Sequence, residues 1–282
     1  MSERRFAVIG HPIGHTMSPF IHDRLFELAG ERGRYTAVDI SPEELPSCMK
    51  ELNGLCGYNI TIPHKQSIIH LIDRLDKKAG LYGSVNTVRN GSVREGFTTD
   101  PDGFLKALEG GGIPLKGRVV VLGSGGAART FVYEAALAGC DITIAVRKGS
   151  SAKGEALARE VREKLGVTGI NTCLTDELDS SGYDTDLLVN ATPVGMYPKT
   201  DFVPVSDRVI ERSAGVFDAV YNPLETMLIR KARANGSMAV GGMSMLVWQA
   251  AAAHEIWDGS VYDNDSIDQL IEDAAAEMKK IF

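Results

Sequence analysis

Along this chain, short apolar runs take turns with longer segments whose apolar residues recur every three or four positions. The runs mark strands and the longer spacing marks amphipathic helices. The pattern predicts a strand over 5–10 (RFAVIG) and a helix over 18–30, N-capped by Ser18 with Pro19 in its first turn and stopped at Gly30. A strand at 35–40 precedes a Ser-Pro-started helix over 41–53. A strand over 57–63 leads into a helix over 64–80. Two short strands, 83–88 and 92–97, flank the hairpin signal Asn90-Gly91, and a helix starts near Pro101.

A second block opens at Gly117 with RVVVLG, the continuous apolar strand of a sheet buried on both faces. A helix from 123, a strand at 141–146 and a helix over 150–165 follow, then apolar strands at 185–192 and 214–221. A helix over 224–236 and a strand over 237–242 complete this block, and from Met243 onward the pattern is helical. Such alternation predicts an α/β fold with mainly parallel sheets. The expected organisation is an α/β substrate domain, residues 1–102 and 243–282, with C-terminal helices returning to it. Residues 103–242 form a Rossmann-like, doubly wound second domain. The active site is expected in a cleft between the two, closing by hinge motion.

Composition narrows the function. The chain has 282 residues, 44% of them hydrophobic and 24% charged, with a net charge of −7. An acidic chain without a basic cluster is a poor partner for nucleic acid. It contains no apolar run of spanning length, and the start MSERRFAVIGHPIG lacks the apolar core and cleavage site of a signal peptide. Four scattered cysteines without a CxxC pair fit a reducing cytoplasm and no disulfide framework or zinc site. The six histidines show no metal-ligand spacing, and His15 and His64 flank candidate site elements as part of their surroundings.

Chemistry concentrates in two places. Gly123-Ser124-Gly125-Gly126-Ala127-Ala128 follows a strand and opens a helix, matching the G-x-G-x-x-G/A dinucleotide fingerprint. Gly123 permits the turn, Gly125 lets backbone approach a pyrophosphate, and Ala128 lets helix and strand pack closely. The next strand ends in Val146-Arg147-Lys148 with no carboxylate to bind a ribose 2′-hydroxyl. Arg147 instead offers a planar cation to a 2′-phosphate, so NADP is favoured over NAD. In GYNITIPHK, alternation puts Asn59 and Thr61 on one strand face, and Pro63 ends the ladder just before Lys65. Asp100 is the candidate carboxylate partner for Lys65. Asp102 competes for that place, and helix capping is the simpler role for Asp100.

Eight motifs in order resemble those of shikimate dehydrogenases: GHPIGHTMSP, GYNITIPHK, GSVNT, GFTTDPDGF, GSGGAAR, NATPVGM, YNPLET and GMSMLVWQA. The resemblance implies NADP-dependent, reversible reduction of 3-dehydroshikimate to shikimate, a step toward the aromatic amino acids, by a monomer or homodimer. It implies a catalytic pair, Lys65 and Asp100. Thr16 and Ser18 would hold the substrate carboxylate with Tyr221 nearby, and Asn59, Thr61, Asn86 and Gln249 would contact the carboxylate or ring hydroxyls. Gly123, Gly125, Gly126, Ala127 and Arg129 would cradle the pyrophosphate, Arg147 would meet the 2′-phosphate, and Thr192 and Met245 would lie by the nicotinamide. Thr98, Val146 and Lys148 depart from the family pattern, which has Asn, Asn and Thr there, and Trp248 is bulkier than expected. A quinate or dual quinate/shikimate dehydrogenase is the nearest rival. A non-catalytic NADP-binding regulator is another, opposed by the presence of both Lys65 and Asp100.

Overall fold

A computed structural model describes residues 3–14, 16–182 and 184–281; His15 lies outside them. The chain divides into two compact units, Met1–Gly103 with Leu246–Phe282, and Phe104–Met245.

The first unit runs β1 (Arg4–Gly10), α1 (Ser18–Leu28), β2 (Gly33–Asp39), α2 (Leu45–Leu52), β3 (Gly57–Ile60), β4 (Arg74–Leu75), α3 (Lys77–Tyr82), β5 (Thr87–Arg89) and β6 (Glu95–Phe97). The division from the second unit falls inside α4 (Asp100–Gly110). The six strands form one mixed sheet in the order β2-β1-β3-β5-β6-β4. β1 reads as an apolar run because both its faces are covered. Phe6 and Val8 pack with Phe26 and Tyr35, whereas Ala7 and Ile9 pack with Leu45 and Met49.

The second unit continues with β7 (Arg118–Leu122), α5 (Gly126–Leu137), β8 (Asp141–Val146), α6 (Ser151–Leu165), β9 (Ile170–Leu174), α7 (Leu178–Ser181) and β10 (Thr185–Asn190). Then come α8 (Asp207–Glu211), β11 (Ser213–Asp218), α9 (Met227–Ala234) and β12 (Met238–Gly241). Its sheet is fully parallel in the order β12-β11-β10-β7-β8-β9. This is the doubly wound arrangement, whose strand order reverses between β7 and β10; ligands bind such sheets outside the carboxyl ends at that reversal. The remaining helices are α10 (Gly242–Asp258), in which the second division falls, and α11 (Asn264–Ile281). None of the described helices is long and apolar enough to cross a membrane.

The α/β architecture is as expected, but several elements differ. The helix expected over 64–80 is broken into a 3₁₀ turn (Ser67–Leu71), β4 and α3. Asp73 grips Arg94 through its backbone N–H and guanidinium, drawing Arg74–Leu75 into parallel pairing with Glu95–Gly96. Asp76 then caps α3, accepting from the N–H groups of Lys78 and Ala79. Long-range pairing and a strong cap override a helical periodicity that Ile68, Leu71, Ile72 and Leu75 supply by spacing alone. The helix expected from Ser41 starts at Leu45, because Glu44 turns back to accept from the Ser41 backbone and hydroxyl. β3 ends at Ile60 rather than 63. β9, a half-buried edge strand containing Asn171 and Thr172, was not anticipated. Ser18 is the first helical residue of α1, not its N-cap; Met17 holds that place, and the Thr16 hydroxyl accepts from the Ser18 N–H.

Gly57, which opens β3, shows how tightly the first sheet is built. A Cβ there would sit 2.7 Å from Trp257 Cδ1 and 2.8 Å from the Val88 carbonyl oxygen, whose other partner is the Trp257 indole N–H. Gly57→Ala should therefore destabilise the protein by roughly 1–3 kcal/mol, the usual cost of overpacking. Chemical denaturation measures it, and an unchanged midpoint would contradict the packing described.

Candidate functional site

In the first unit, chain reversals at strand ends bring polar side chains together. After β3 the chain turns through residues 62–66, and the Val85 N–H fixes the turn by donating to the Lys65 carbonyl at 2.8 Å. His64 is fully buried and bonds the Ile40 carbonyl at 2.7 Å, so it supports this turn and does not face a ligand. Lys65 Nζ donates to Asp100 Oδ2 at 2.6 Å, with side chains 18% and 3% exposed. Asp100 opens α4, yet its carboxylate does more than cap a helix. Oδ1 accepts from Asn86 Nδ2 at 2.9 Å. Asp102 is instead paired with Lys78 at 2.7 Å and half exposed, which removes it as the Lys65 partner.

Asn86 is the hub. Its Nδ2 also lies 3.0 Å from Thr99 Oγ1 and 3.2 Å from Gln249 Oε1, while its Oδ1 accepts from the Thr99 N–H at 2.7 Å and the Thr87 hydroxyl at 3.1 Å. Asn59 joins through Nδ2, donating to Thr87 Oγ1 at 3.0 Å. Lys65, Asp100, Asn86, Gln249 and Asn59 thus share one hydrogen-bonded network. Thr16 and Ser18 form a separate pair of hydroxyls 3.1 Å apart at the start of α1. Thr61 is half-buried just past β3, its N–H bonded to the Ile9 carbonyl. Thr98, the departure beside Asp100, buries its hydroxyl without a partner among the described residues, while Thr99 makes the contacts to Asn86.

In the second unit, β7 runs into Gly123, whose φ of +107° belongs to glycine, and a Cβ there would lie 3.1 Å from Thr192 Cγ2. Gly125 and Gly126 differ. Gly125 has φ −83° and ψ −167°, open to any residue, and a Cβ on either glycine would meet no described residue within 4 Å. Neither backbone nor packing within the described residues requires glycine at 125 or 126, which leaves the backbone at this turn open to close approach. The free N–H groups of the first turn of α5 suit an anion such as a pyrophosphate there. Ala127 is half-buried, and Ala128 is fully buried where helix and strand pack. Arg147 is exposed at the end of β8.

Arg129, in the first turn of α5, has a partner that the sequence did not suggest. Its guanidinium makes a two-pronged ion pair with Glu160 on α6, at 2.7 and 2.8 Å, and Tyr133 donates to the same carboxylate. The Arg129 hydrogen bonds hold the Glu160 carboxyl down at about 2. Arg129 therefore joins α5 to α6. Tyr221 is half-buried beyond β11, with burial raising its phenol, and Met245 is half-buried in the first turn of α10.

Residues that sequence reasoning did not single out hold Thr192. Asn190, fully buried at the end of β10, accepts with Oδ1 from the Thr192 N–H (3.0 Å) and hydroxyl (2.7 Å). Its Nδ2 donates to Asp218 Oδ1 at 2.9 Å, and the Thr226 hydroxyl donates to Asp218 Oδ2 at 2.6 Å. A polar residue closing an otherwise apolar strand, in TDLLVN and again in AGVFD, was the available signal.

Residues 8–88 match the family model described as the shikimate dehydrogenase substrate binding domain. The NADP(+) shikimate dehydrogenase of Methanopyrus kandleri is 42% identical over 89% of this chain and 89% of its own. That of Caldanaerobacter subterraneus is 36% identical over 94% and 95%. The chain belongs to the shikimate dehydrogenase family. Among solved structures, the shikimate 5-dehydrogenase of Thermus thermophilus in complex with NADP(H) and shikimate is similar with a TM-score of 0.84. It is 35% identical, and the match covers 96% of this chain and 99% of that one.

Burial pushes the Asp218 carboxyl up to about 6, against the pull of the Thr226, Val220 and Asn190 hydrogen bonds. Between its ordinary value near 3.8 and about 6, the folded protein then holds a proton that the unfolded chain has released. Stability should accordingly fall as pH rises through that window, by roughly 3 kcal/mol in total, and level off above it. Asp218→Asn should lack this slope. Parallel pH–stability curves for the two proteins would contradict the assignment.

Proposed function

We infer that this chain is an NADP-dependent shikimate dehydrogenase, reducing 3-dehydroshikimate reversibly to shikimate. The observation that carries the reading is the Lys65–Asp100 pair, mostly buried and locked by Asn86 within a chain whose relatives bear that name. A buried ion pair is a poor device for stability, because desolvation offsets its attraction. Its presence in a network of ligand-sized polar groups is better explained by chemistry.

NADPH, when bound, supplies the hydride to the substrate carbonyl carbon. The substrate oxygen then gains negative charge, and Lys65 is the group that stabilises and protonates it. One N–H of the Lys65 ammonium is committed to Asp100, which aims the rest of the head, and Asn86 keeps Asp100 from turning away. In the reverse direction the neutral amine accepts the hydroxyl proton as hydride leaves. Thr16 and Ser18 offer hydroxyls to the substrate carboxylate, and Asn59, Thr61 and Gln249 offer short polar groups to the ring hydroxyls. Gly123, Gly125, Gly126 and Ala127 admit the pyrophosphate, Arg147 pairs with the 2′-phosphate, and Thr192 and Met245 lie toward the nicotinamide. The departures at Val146 and Lys148 leave this corner basic.

Turnover assays with shikimate and quinate, each with NADP and NAD, test the function directly. The expected result is fastest turnover of shikimate with NADP; no turnover with any pair would overturn the reading. Lys65→Ala should lower kcat by roughly 10²–10⁴-fold, with NADP affinity nearly unchanged. If it raises the KM for shikimate alone, the lysine only anchors substrate. Arg147→Ala should weaken NADP by on the order of 1.5–3 kcal/mol and NAD little, as measured by KM for each cofactor. Equal changes would show that Arg147 does not read the 2′-phosphate.

A further inference from the structure

Behind Asn59 lies a buried aromatic and imidazole cluster that the mechanism above does not use. Tyr35, on β2, is 4% exposed and donates its hydroxyl to Asn59 Oδ1 at 2.6 Å. Its ring is stacked on His22 of α1 at 3.9 Å and 5° between planes. His22 is held in turn by His254 of α10, Nδ1 to Nε2, at 3.0 Å. The place of the Tyr35 ring, and so of its oxygen, is therefore set by packing from α1 and α10, independently of Asn59. Burial raises the Tyr35 phenol well above its ordinary value, so it is a protonated donor.

The amide of Asn59 then has one allowed sense. Oδ1 receives the Tyr35 hydroxyl, and the two hydrogens of Nδ2 face the Asn86 carbonyl (3.3 Å) and Thr87 Oγ1 (3.0 Å). A flipped amide would set Oδ1 against the Asn86 carbonyl, oxygen to oxygen. With its nitrogen spent inside the sheet, Asn59 can offer a ligand only the second lone pair of Oδ1. That lone pair accepts from a hydroxyl and repels a carboxylate.

We propose that Tyr35 is a positioning residue for substrate recognition, fixing the Asn59 amide as a hydrogen-bond acceptor for a ring hydroxyl of the substrate and not for its carboxylate. The proposal rests on the reading of Asn59 as a substrate contact.

Tyr35→Phe removes only the hydroxyl. It should raise the shikimate KM roughly tenfold, the value of one lost orienting hydrogen bond, with kcat and the NADP KM little changed. The inhibition constant of cyclohex-1-ene-1-carboxylate, which keeps the acid and lacks the ring hydroxyls, should not move; a merely structural role would shift both ligands. Asn59→Ala should behave alike, and the double variant no worse than Asn59→Ala alone. If Asn59→Ala leaves the shikimate KM unchanged, the reading of Asn59 fails and the proposal with it. If Asn59→Ala raises it and Tyr35→Phe does not, the proposal alone is overturned. Equal weakening of the deoxy acid also overturns it. Should Tyr35→Phe not fold, 3-fluorotyrosine at position 35 reports instead. Its ¹⁹F resonance should move on addition of shikimate but not of cyclohex-1-ene-1-carboxylate, and movement with neither or with both contradicts the proposal.

Discussion

The contact on which this account depends is the 2.6 Å ion pair between Lys65 and Asp100. Two opposite charges largely removed from water attract strongly, but each has lost its hydration, so the pair adds little to stability while strongly resisting the removal of one partner. What it gains is direction. An ammonium on a four-carbon stem is mobile by nature. Here its backbone is tied down by the Val85 N–H and its head is tied to a carboxylate that is itself held by Asn86.

The same construction appears in each unit. Asn86 donates Nδ2 to Asp100 and accepts with Oδ1 from the Thr99 N–H. Asn190 donates Nδ2 to Asp218 and accepts with Oδ1 from the Thr192 N–H. In both, a buried asparagine uses the two ends of one amide to join an aspartate to a threonine-bearing loop beside a strand. Rigid sheets thereby fix loop residues that must be polar and correctly aimed. The solutions diverge in electrostatics. Asp100 has a lysine partner, whereas Asp218 is held by neutral donors, and burial raises its carboxyl.

Much of this was legible in the sequence because the relevant signals are local. Apolar runs gave the strands around both candidate sites, the glycine spacing gave the turn after β7, and the family resemblance named Asp100 as the partner of Lys65. What stayed hidden depends on partners distant in the chain. The segment 64–80 has helical spacing, and only Arg94 and Glu95–Gly96, met later in the chain, explain its extended piece. Tyr35 alternates in β2 like any core aromatic, and nothing nearby announces that its hydroxyl reaches Asn59. Arg129 follows the glycine fingerprint, and nothing nearby announces that Glu160 on α6 pairs with its guanidinium. Side chains that other side chains orient are visible only after folding.

If Lys65 and Asp100 are one catalytic unit, they cannot each contribute independently. The most direct measurement is the single-turnover rate of hydride transfer in Lys65→Ala, Asp100→Asn and the double variant, all saturated with shikimate and NADP. The double variant should lose far less than the product of the two single losses, because either change alone already disables the pair. Losses that multiply would mean that the two residues act separately, and the paired mechanism would be wrong.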